Sequence, residues 1–341
     1  MKLNQRSSYQ PHPKNFDETF AEVAQRVRPS AYMTPAVAPQ AIKQMLQMPL
    51  EKITDFWIVD IDNQSVGTIG ATVVNENEGY LGFFEVDTHS DKAEEIASAL
   101  IATATAWLKN QKIKVIFGPI NYNTWFPYRL NTTTGPYKTY SWEPLNPPEY
   151  VEYFKKSGME VEQRYETTGV KNCEGMAARY KKAHDLVLAQ GFTLKSAGEI
   201  EAPLLLKRLH RLTNIEFAQN CRFEQIPLTI FEAIYGPQVE KMAIPYSTVI
   251  LAPNDDLAGL VIAFEDKGDL VVKTLVVGAA YQGMKLGAAL LYHVCQTGVD
   301  NQLDLFISAL MQDDNKSNNF AAGMKPVFTH EYCLYKRECA E

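Results

Sequence analysis

The sequence predicts an α+β protein whose two domains share one plan of helices and strands. The chain has 341 residues, which exceeds one typical domain and suits two. Hydrophobic residues make up 46% of it, and that fraction is enough for ordinary cores. In each half the predicted elements follow one order: helix, strand hairpin, strand, helix, strand, helix and strand. The predicted domains are residues 16–172 and residues 196–341, with a linker between them.

In the first half, short apolar runs alternate with one long amphipathic helix. Residues 1–15 are polar and are predicted to form a disordered tail, and helical material broken by prolines follows over residues 16–50. A helix is predicted over residues 92–110, where one face carries Ile96, Leu100, Thr103 and Trp107. The other predicted elements are strands at Asp55–Ile61, Val66–Val74, Tyr80–Val86 and Lys114–Gly118, a helix at Pro147–Gly158 and a strand at Met159–Val170.

The segment from residue 120 to residue 146 has no regular pattern and is rich in aromatic side chains. Long segments without regular structure tend to be functional or disordered, and this aromatic content argues against disorder. Two interpretations stay open, a packing surface between the domains and a wall of a ligand cleft. The aromatic residues are Tyr122, Trp125, Phe126, Tyr128, Tyr137, Tyr140 and Trp142.

The second half repeats the order after a linker helix and strand predicted over residues 173–195. The linker helix, Glu174–Gln190, ends at a glycine, as helices often do. The other predicted elements are helices at Pro203–Asn220, Pro227–Met242 and Gly283–Gly298, and strands at Tyr246–Ala252, Leu257–Glu265, Leu270–Val277, Leu303–Leu310 and Glu331–Arg337.

Composition disfavours several classes of protein. The net charge is −7, and Lys and Arg form no dense cluster, so a nucleic-acid surface is not expected. No run of about 18 apolar residues occurs and the first residues hold no apolar signal core, so neither a membrane span nor a secretion signal is expected. The five cysteines are odd in number and lack CxxC spacing, which indicates free thiols, no metal site and a cytoplasmic protein.

The most informative stretch runs from Thr274 to Leu291. An apolar β-branched run leads into a Gly/Ala segment and then into a helix rich in small residues. The first N–H groups of a helix lack internal partners, and small residues let an anion approach them closely. The stretch therefore indicates a phosphate-bearing cofactor. The alternative is a strand, turn and helix packed tightly by small residues.

Within this stretch, Gln282 and Gly287 occupy the first and last positions of a Gln/Arg-x-x-Gly-x-Gly/Ala pattern, and Lys285 replaces its central glycine. The pattern resembles motif A of the GNAT acyltransferase superfamily, and the resemblance extends from about residue 50 to the end of the chain. It implies two tandem domains, each with a mixed, mostly antiparallel sheet flanked by helices. Three further stretches resemble poorly characterised bacterial tandem GNAT proteins: Gly118–Trp125, Asn146–Met159 and Leu212–Thr229.

The resemblance also implies which residues bind the cofactor and the acceptor. Acetyl-CoA, or a related acyl-CoA, is expected along the strand and turn before the helix. Its expected contacts are Leu275, Val276, Val277, Gln282, Gly283, Met284, Lys285, Leu286, Gly287, Ala288 and Asn315. The acceptor pocket in this family is formed by the first two helices of a domain, which implies Asn214, Phe217, Asn220 and Phe223.

The first half resembles a GNAT domain that has lost its cofactor turn. Its corresponding segment, residues 86–92, has no match to the pattern. Asp87 and Asp91 in that segment disfavour a bound phosphate by like charge. Only the second half is therefore expected to bind acyl-CoA.

Acyl transfer to an amine also needs a group that removes a proton from the amine. Glu224 and Glu265 are the candidates, although each alone is more often a solvated surface carboxylate. In this family a tyrosine near the end of the domain often protonates the leaving thiolate, but residues 315–320 contain none. No residue is therefore assigned to that step.

The activity that the resemblance implies is N-acyl transfer from acetyl-CoA, or a related acyl-CoA, to a small amine or amino-acid-like acceptor, without a metal. One alternative is a non-catalytic acyl-CoA-binding or interaction protein, which Lys285 and the missing tyrosine favour. Another is an aminoacyl-tRNA-dependent transferase, which the net negative charge disfavours. The acceptor, the acyl chain length and the oligomeric state are not predicted.

Overall fold

The computed structural model describes residues 2–7, 15–133, 138–239, 246–313 and 323–339. Contacts divide the chain into two compact units, of which one is Met1–Arg164 with Glu331–Glu341 and the other is Tyr165–His330. The sequence predicts instead that the last strand belongs to the second domain. The difference arises because strand pairing over more than 200 residues leaves no local pattern in the sequence.

The first unit is built from two short helices, a meander of strands and a long helix that covers the sheet. Its elements are strands β1 (Lys2–Ser7), β2 (Thr54–Ile61), β3 (Gln64–Val73), β4 (Glu78–Val86), β5 (Val115–Gly118) and β6 (Leu130–Asn131), and helices α1 (Phe16–Val27), α2 (Pro39–Leu46), α3 (Ala93–Asn110) and α4 (Glu149–Lys156). Strand β1 pairs antiparallel with β2. The predicted disordered tail over residues 1–15 therefore contains an edge strand.

The sheet of the first unit has the strand order β1-β2-β3-β4-β5-β13, where β13 is Phe328–Glu338. Neighbours are antiparallel except β4 and β5, which are parallel over three residue pairs. Helix α3 buries a stripe at a spacing of four residues against this sheet: Ile96, Leu100, Ala104 and Leu108. The predicted face residues Thr103 and Trp107 are half-buried at the margin of that stripe.

The aromatic segment after β5 packs into the core of the first unit. The ring of Tyr122 lies 5.1 Å from that of Phe83 and 6.2 Å from that of Phe56, both edge-to-face. Phe126 packs on Tyr122 at 5.9 Å and is buried. Aromatic pairs of this geometry stabilise a core beyond the area that they bury. Residues 134–137, with Tyr137, lie outside the described residues.

The second unit follows the same plan. Its elements are strands β7 (Glu160–Lys171, which begins in the first unit), β8 (Thr193–Ser196), β9 (Thr248–Leu251), β10 (Leu257–Asp266), β11 (Asp269–Val277) and β12 (Leu305–Gln312), and helices α5 (Cys173–Ala189), α6 (Ala202–Glu216), α7 (Leu228–Val239) and α8 (Leu286–Asp300). The strand order is β7-β12-β11-β10-β9-β8. Only the β11 and β12 pair is parallel among these described neighbours.

Helices α5 and α8 cover one face of the second sheet and form its main core. Buried side chains from both helices and from the sheet meet there, among them Met176, Val187, Leu290, Val294 and Phe306. The predicted linker helix, residues 174–190, corresponds to α5 and is thus part of the second unit rather than a connector.

Candidate functional site

Strand β11 of the second unit has one partly unpaired edge. Its pairing with β10 continues to Val277, but its pairing with β12 covers only Leu270–Val272. On its other edge, strand β12 pairs antiparallel with β7 from Leu305 to Gln312. Among the described residues, none of β12 pairs with residues 273–277, so a gap remains on that side of β11.

The register shows which backbone groups face this gap. The N–H of Gly278 donates to the carbonyl of Ala258 at 2.9 Å, so these two residues exchange hydrogen bonds across β10 and β11. Alternate residues of an antiparallel strand direct their backbone groups to opposite sides. Val276 therefore bonds across to β10, whereas the N–H and C=O groups of Leu275 and Val277 face the gap.

A tight turn joins β11 to α8. It holds one 3-10 turn, Ala279–Tyr281, and then two residues in the left-handed region, Gly283 at φ 82° and Lys285 at φ 67°. Glycine adopts this conformation freely, but a lysine is strained in it. Residues 282–285 are exposed. The predicted helix begins three residues later than expected, at Leu286, because these left-handed residues cannot continue a helix.

The first turn of α8 offers backbone donors that lack helical acceptors. Lys285 caps the helix without a side-chain hydrogen bond, and the N–H of Ala289 donates to the carbonyl of Lys285 at 3.1 Å. The N–H groups of Leu286, Gly287 and Ala288 thus lack helical acceptors. A Cβ added to Gly287 would lie 3.5 Å from Leu275 Cδ2, which is ordinary contact. The protein itself therefore does not require a glycine there, whereas a ligand seated on the helix end would.

No family model matches the chain, and no curated protein matches it. Several solved structures match the chain. A tandem GNAT protein from the clavulanic acid biosynthesis pathway superposes with a TM-score of 0.60 at 15% identity, over 100% of this chain and 99% of that one. The chain has a tandem GNAT fold.

Two other structures agree with that assignment. A GCN5-related N-acetyltransferase from Sphaerobacter thermophilus gives a TM-score of 0.53 at 10% identity, over 98% of this chain and 95% of that one. A conserved protein of unknown function from Enterococcus faecalis, described as a probable N-acyltransferase, gives 0.56 at 10% identity, over 99% and 73%. The fold class that the sequence predicts is confirmed.

In the second GNAT unit, the predicted acceptor residues lie at the end of α6 and in the loop after it. The rings of Phe217 and Phe223 meet edge-to-face at 6.1 Å, and both side chains are half-buried. Asn220 is exposed between them. Asn214 is buried, and its side-chain amide lies 2.8 Å from His210 Nε2 and 3.3 Å from the carbonyl of Ile226 in the loop that follows.

The two candidate bases, Glu224 and Glu265, lie in different places in the second unit. Glu224 is half-buried next to Phe223, with one carboxylate oxygen shielded from solvent. Glu265 is exposed and pairs with Leu270, at the end of β11 that lies farthest from the turn. Leu270 and Val277 are seven positions apart along the strand, which corresponds to about 23 Å. Burial and the Glu265 carboxylate raise the pKa of Tyr246, which is hydrogen-bonded to that carboxylate.

The first GNAT unit has the same strand geometry, but its own residues fill the gap. The N–H of Asp87 donates to Val66 at 2.9 Å, which matches the bond from Gly278 to Ala258, so Val86 corresponds to Val277. The hydroxyl of Tyr150 from α4 bonds the backbone of Val86. The main chain after β5 also returns to β4, where the N–H of Ile120 donates to Leu81 at 2.7 Å.

The side chain of Asn121 also helps to fill the gap beside β4. Its Oδ1 accepts a hydrogen bond of 2.6 Å from the N–H of Phe83. The sequence shows that the first half lacks the glycine pattern and carries Asp87 and Asp91 in its place. The sequence analysis did not identify Asn121 and Tyr150, because their hydrogen-bond partners lie 38 and 64 residues away in the chain.

A further residue that sequence reasoning missed is Glu216. Its Oε1 accepts a hydrogen bond of 2.8 Å from the N–H of Ala279, at the beginning of the turn. Asn315, which the resemblance assigned to the cofactor, lies outside the described residues. Within the described part of the chain, no group of three or more metal-ligating side chains is close enough to hold an ion, and no helix is long and apolar enough to cross a membrane.

Proposed function

We propose that the second GNAT unit binds acetyl-CoA, or a related acyl-CoA, and transfers its acyl group to a small amine or amino-acid-like acceptor. One observation carries the proposal: the unpaired edge of β11 leads directly to the uncapped first turn of α8. Together they place the gap-facing backbone groups of Leu275 and Val277 in a row with the N–H donors of the first helical turn. A long ligand with amide groups at one end and phosphates at the other matches that row.

The residues at this row suit the two parts of such a ligand. The N–H groups of Leu286, Gly287 and Ala288 would hold the diphosphate, since a helix N-terminus carries free donors and positive potential. The exposed Lys285 adds a positive charge there. Leu275 and Val277 would bond the amide arm through their backbone groups. Bound acyl-CoA supplies the activated acyl group and the thiolate that leaves.

The acceptor is proposed to bind where α6 ends. Phe217 and Phe223 offer an apolar surface, and the buried amide of Asn214 lies beside them in the chain at the end of α6. Glu224 stands in the same loop and is the group we assign to proton removal from the amine. Glu265 is poorly placed for that role because it lies at the remote end of the hairpin. All five cysteines are free thiols, which supports a reducing compartment such as the cytoplasm.

The test is to mix the protein with acetyl-CoA and a panel of amines and amino acids, and to follow released thiol. We expect release above background only with a subset of amines. Glu224→Gln should lower kcat by about 100-fold or more, as expected for loss of a general base. Glu232→Gln is the control, because Glu232 is an exposed carboxylate on the neighbouring helix α7.

Three outcomes are distinguishable. Amine-dependent thiol release that is lost in Glu224→Gln supports the transferase. Tight CoA binding without release for any amine supports the non-catalytic binder. Absence of CoA binding contradicts both.

A further inference from the structure

Glu216 joins the end of α6 to the turn after β11. It is the last residue of α6 and is half-buried, and its Oε1 accepts the N–H of Ala279 at 2.8 Å. Ala279 is the first residue of the 3-10 turn that leads to α8. The two residues are 63 positions apart in the chain. The bond therefore connects a helix that bears candidate acceptor residues with the segment proposed to bind the diphosphate.

The rest of the turn is held mainly by its own backbone. Gly278 bonds to Ala258 of β10, and the N–H of Tyr281 donates to Gly278 at 2.8 Å. Residues 282–285 after them are exposed and include two left-handed residues. A side chain that fixes Ala279 from outside lowers the conformational freedom of this segment before any ligand binds. A preordered turn binds its ligand more tightly.

The charge of Glu216 works against this benefit. A carboxylate at the C-terminus of a helix faces the negative end of the helix dipole. It also repels a diphosphate bound nearby. A glutamine in its place would accept the same hydrogen bond without either penalty. The tether and the charge of Glu216 thus act in opposite directions on an anionic ligand, and suitable substitutions separate them.

We propose that Glu216 is a positioning residue, which holds the turn in its CoA-binding conformation and links it to the end of α6. This role rests on the proposed binding of acyl-CoA by the same unit. Glu216 itself is not assigned a part in the chemistry.

The experiment compares Glu216→Ala and Glu216→Gln by calorimetric titration with CoA. We expect Glu216→Ala to raise Kd about 3- to 10-fold, which is the range for one lost hydrogen bond. Glu216→Gln should bind as tightly as the parent or up to about threefold tighter, and this gain should shrink at high salt because screening weakens charge repulsion. Glu232→Ala is the control for loss of a surface carboxylate.

Hydrogen exchange of the amides in residues 278–285 gives a readout without ligand. Faster exchange in Glu216→Ala but not in Glu216→Gln supports the tether. Equal exchange and equal Kd in all variants overturn the role of Glu216 while leaving CoA binding intact. A Kd that rises as much in Glu216→Gln as in Glu216→Ala overturns it as well. Failure of the unsubstituted chain to bind CoA refutes the proposed function, and this role falls with it.

Discussion

The hydroxyl of Tyr150 lies 2.9 Å from the backbone nitrogen of Val86 and 3.1 Å from the carbonyl oxygen of the same residue. In the second unit, the corresponding groups of Val277 face the gap between β11 and β12. The first unit thus satisfies internally backbone groups whose counterparts in the second unit have no strand partner among the described residues.

We expect Tyr150→Phe to destabilise the first unit by about 1–3 kcal/mol. The substitution removes one oxygen and leaves the buried backbone groups of Val86 without a partner. It also removes a hydrogen bond of 3.1 Å to the carboxylate of Glu85. Urea unfolding measures the loss. Tyr153→Phe is the control on the same helix, since Tyr153 is half-buried and shows no side-chain hydrogen bond.

The contribution of Tyr150 should also depend on pH. Burial and the neighbouring Glu85 carboxylate raise the pKa of Tyr150 well above its usual value. A folded-state pKa above the unfolded one means that the stabilisation is complete below about pH 10 and is lost as the pH rises further. The difference in stability between the parent and Tyr150→Phe should therefore be constant from pH 6 to pH 9 and shrink in more alkaline solution. A difference that grows with pH would contradict this account.

Lys285 is expected to strain the backbone of the turn and to strengthen CoA binding through its positive charge. Its φ of 67° suits glycine, so Lys285→Gly should stabilise the folded chain by up to about 1 kcal/mol. Lys285→Ala keeps the strain and should show no gain. Both variants lose the positive charge at the turn and should bind CoA about 3- to 10-fold more weakly, with a weaker dependence on salt.

Thermal unfolding and titration with CoA at two salt concentrations measure these effects. A loss of stability in Lys285→Gly would show that the lysine side chain has contacts that outweigh its backbone strain. Unchanged affinity in both variants would show that the charge does not reach the ligand.

Local patterns predicted the parts of the fold that depend on neighbouring residues. The run ending at Val277 and the small residues around Gly287 placed a strand, a turn and a helix correctly to within three residues. Hydrophobic spacing likewise located α3 and α5. These features follow from side chains a few positions apart, which the sequence displays directly.

The features that the sequence did not predict depend on residues far apart in the chain. The last strand pairs Tyr335 with Gly118, which lies more than 200 residues earlier. The bond from Ala279 to Glu216 and the bond from Phe83 to Asn121 are of the same kind. No spacing rule connects such pairs. The sequence therefore predicted neither that the last strand belongs to the first unit nor that residues of the first unit fill its own strand edge.

The five cysteines should fall into two reactivity classes. Cys173, Cys295 and Cys333 are buried, and burial raises the pKa of the Cys173 thiol to about 12. Thiolates are the reactive form, so these three should react with a disulfide reagent at about pH 8 only on unfolding. The half-buried Cys221 and Cys339 should react first. Three or more fast thiols in the folded protein would contradict the burial described here. The fast thiols also set the background of any thiol-release assay.

Titration calorimetry with CoA tests the central claim most directly. Gly287→Glu places a carboxylate on the first turn of α8. The new Cβ would lie no closer than 3.5 Å to its neighbours, so the substitution does not clash there. Gly236→Glu is the matched control, since a Cβ there meets open space on α7. We predict one CoA per chain for the parent and for Gly236→Glu, and no measurable binding for Gly287→Glu. Two CoA molecules per chain, or undiminished binding in Gly287→Glu, would contradict a single site at the N-terminus of α8.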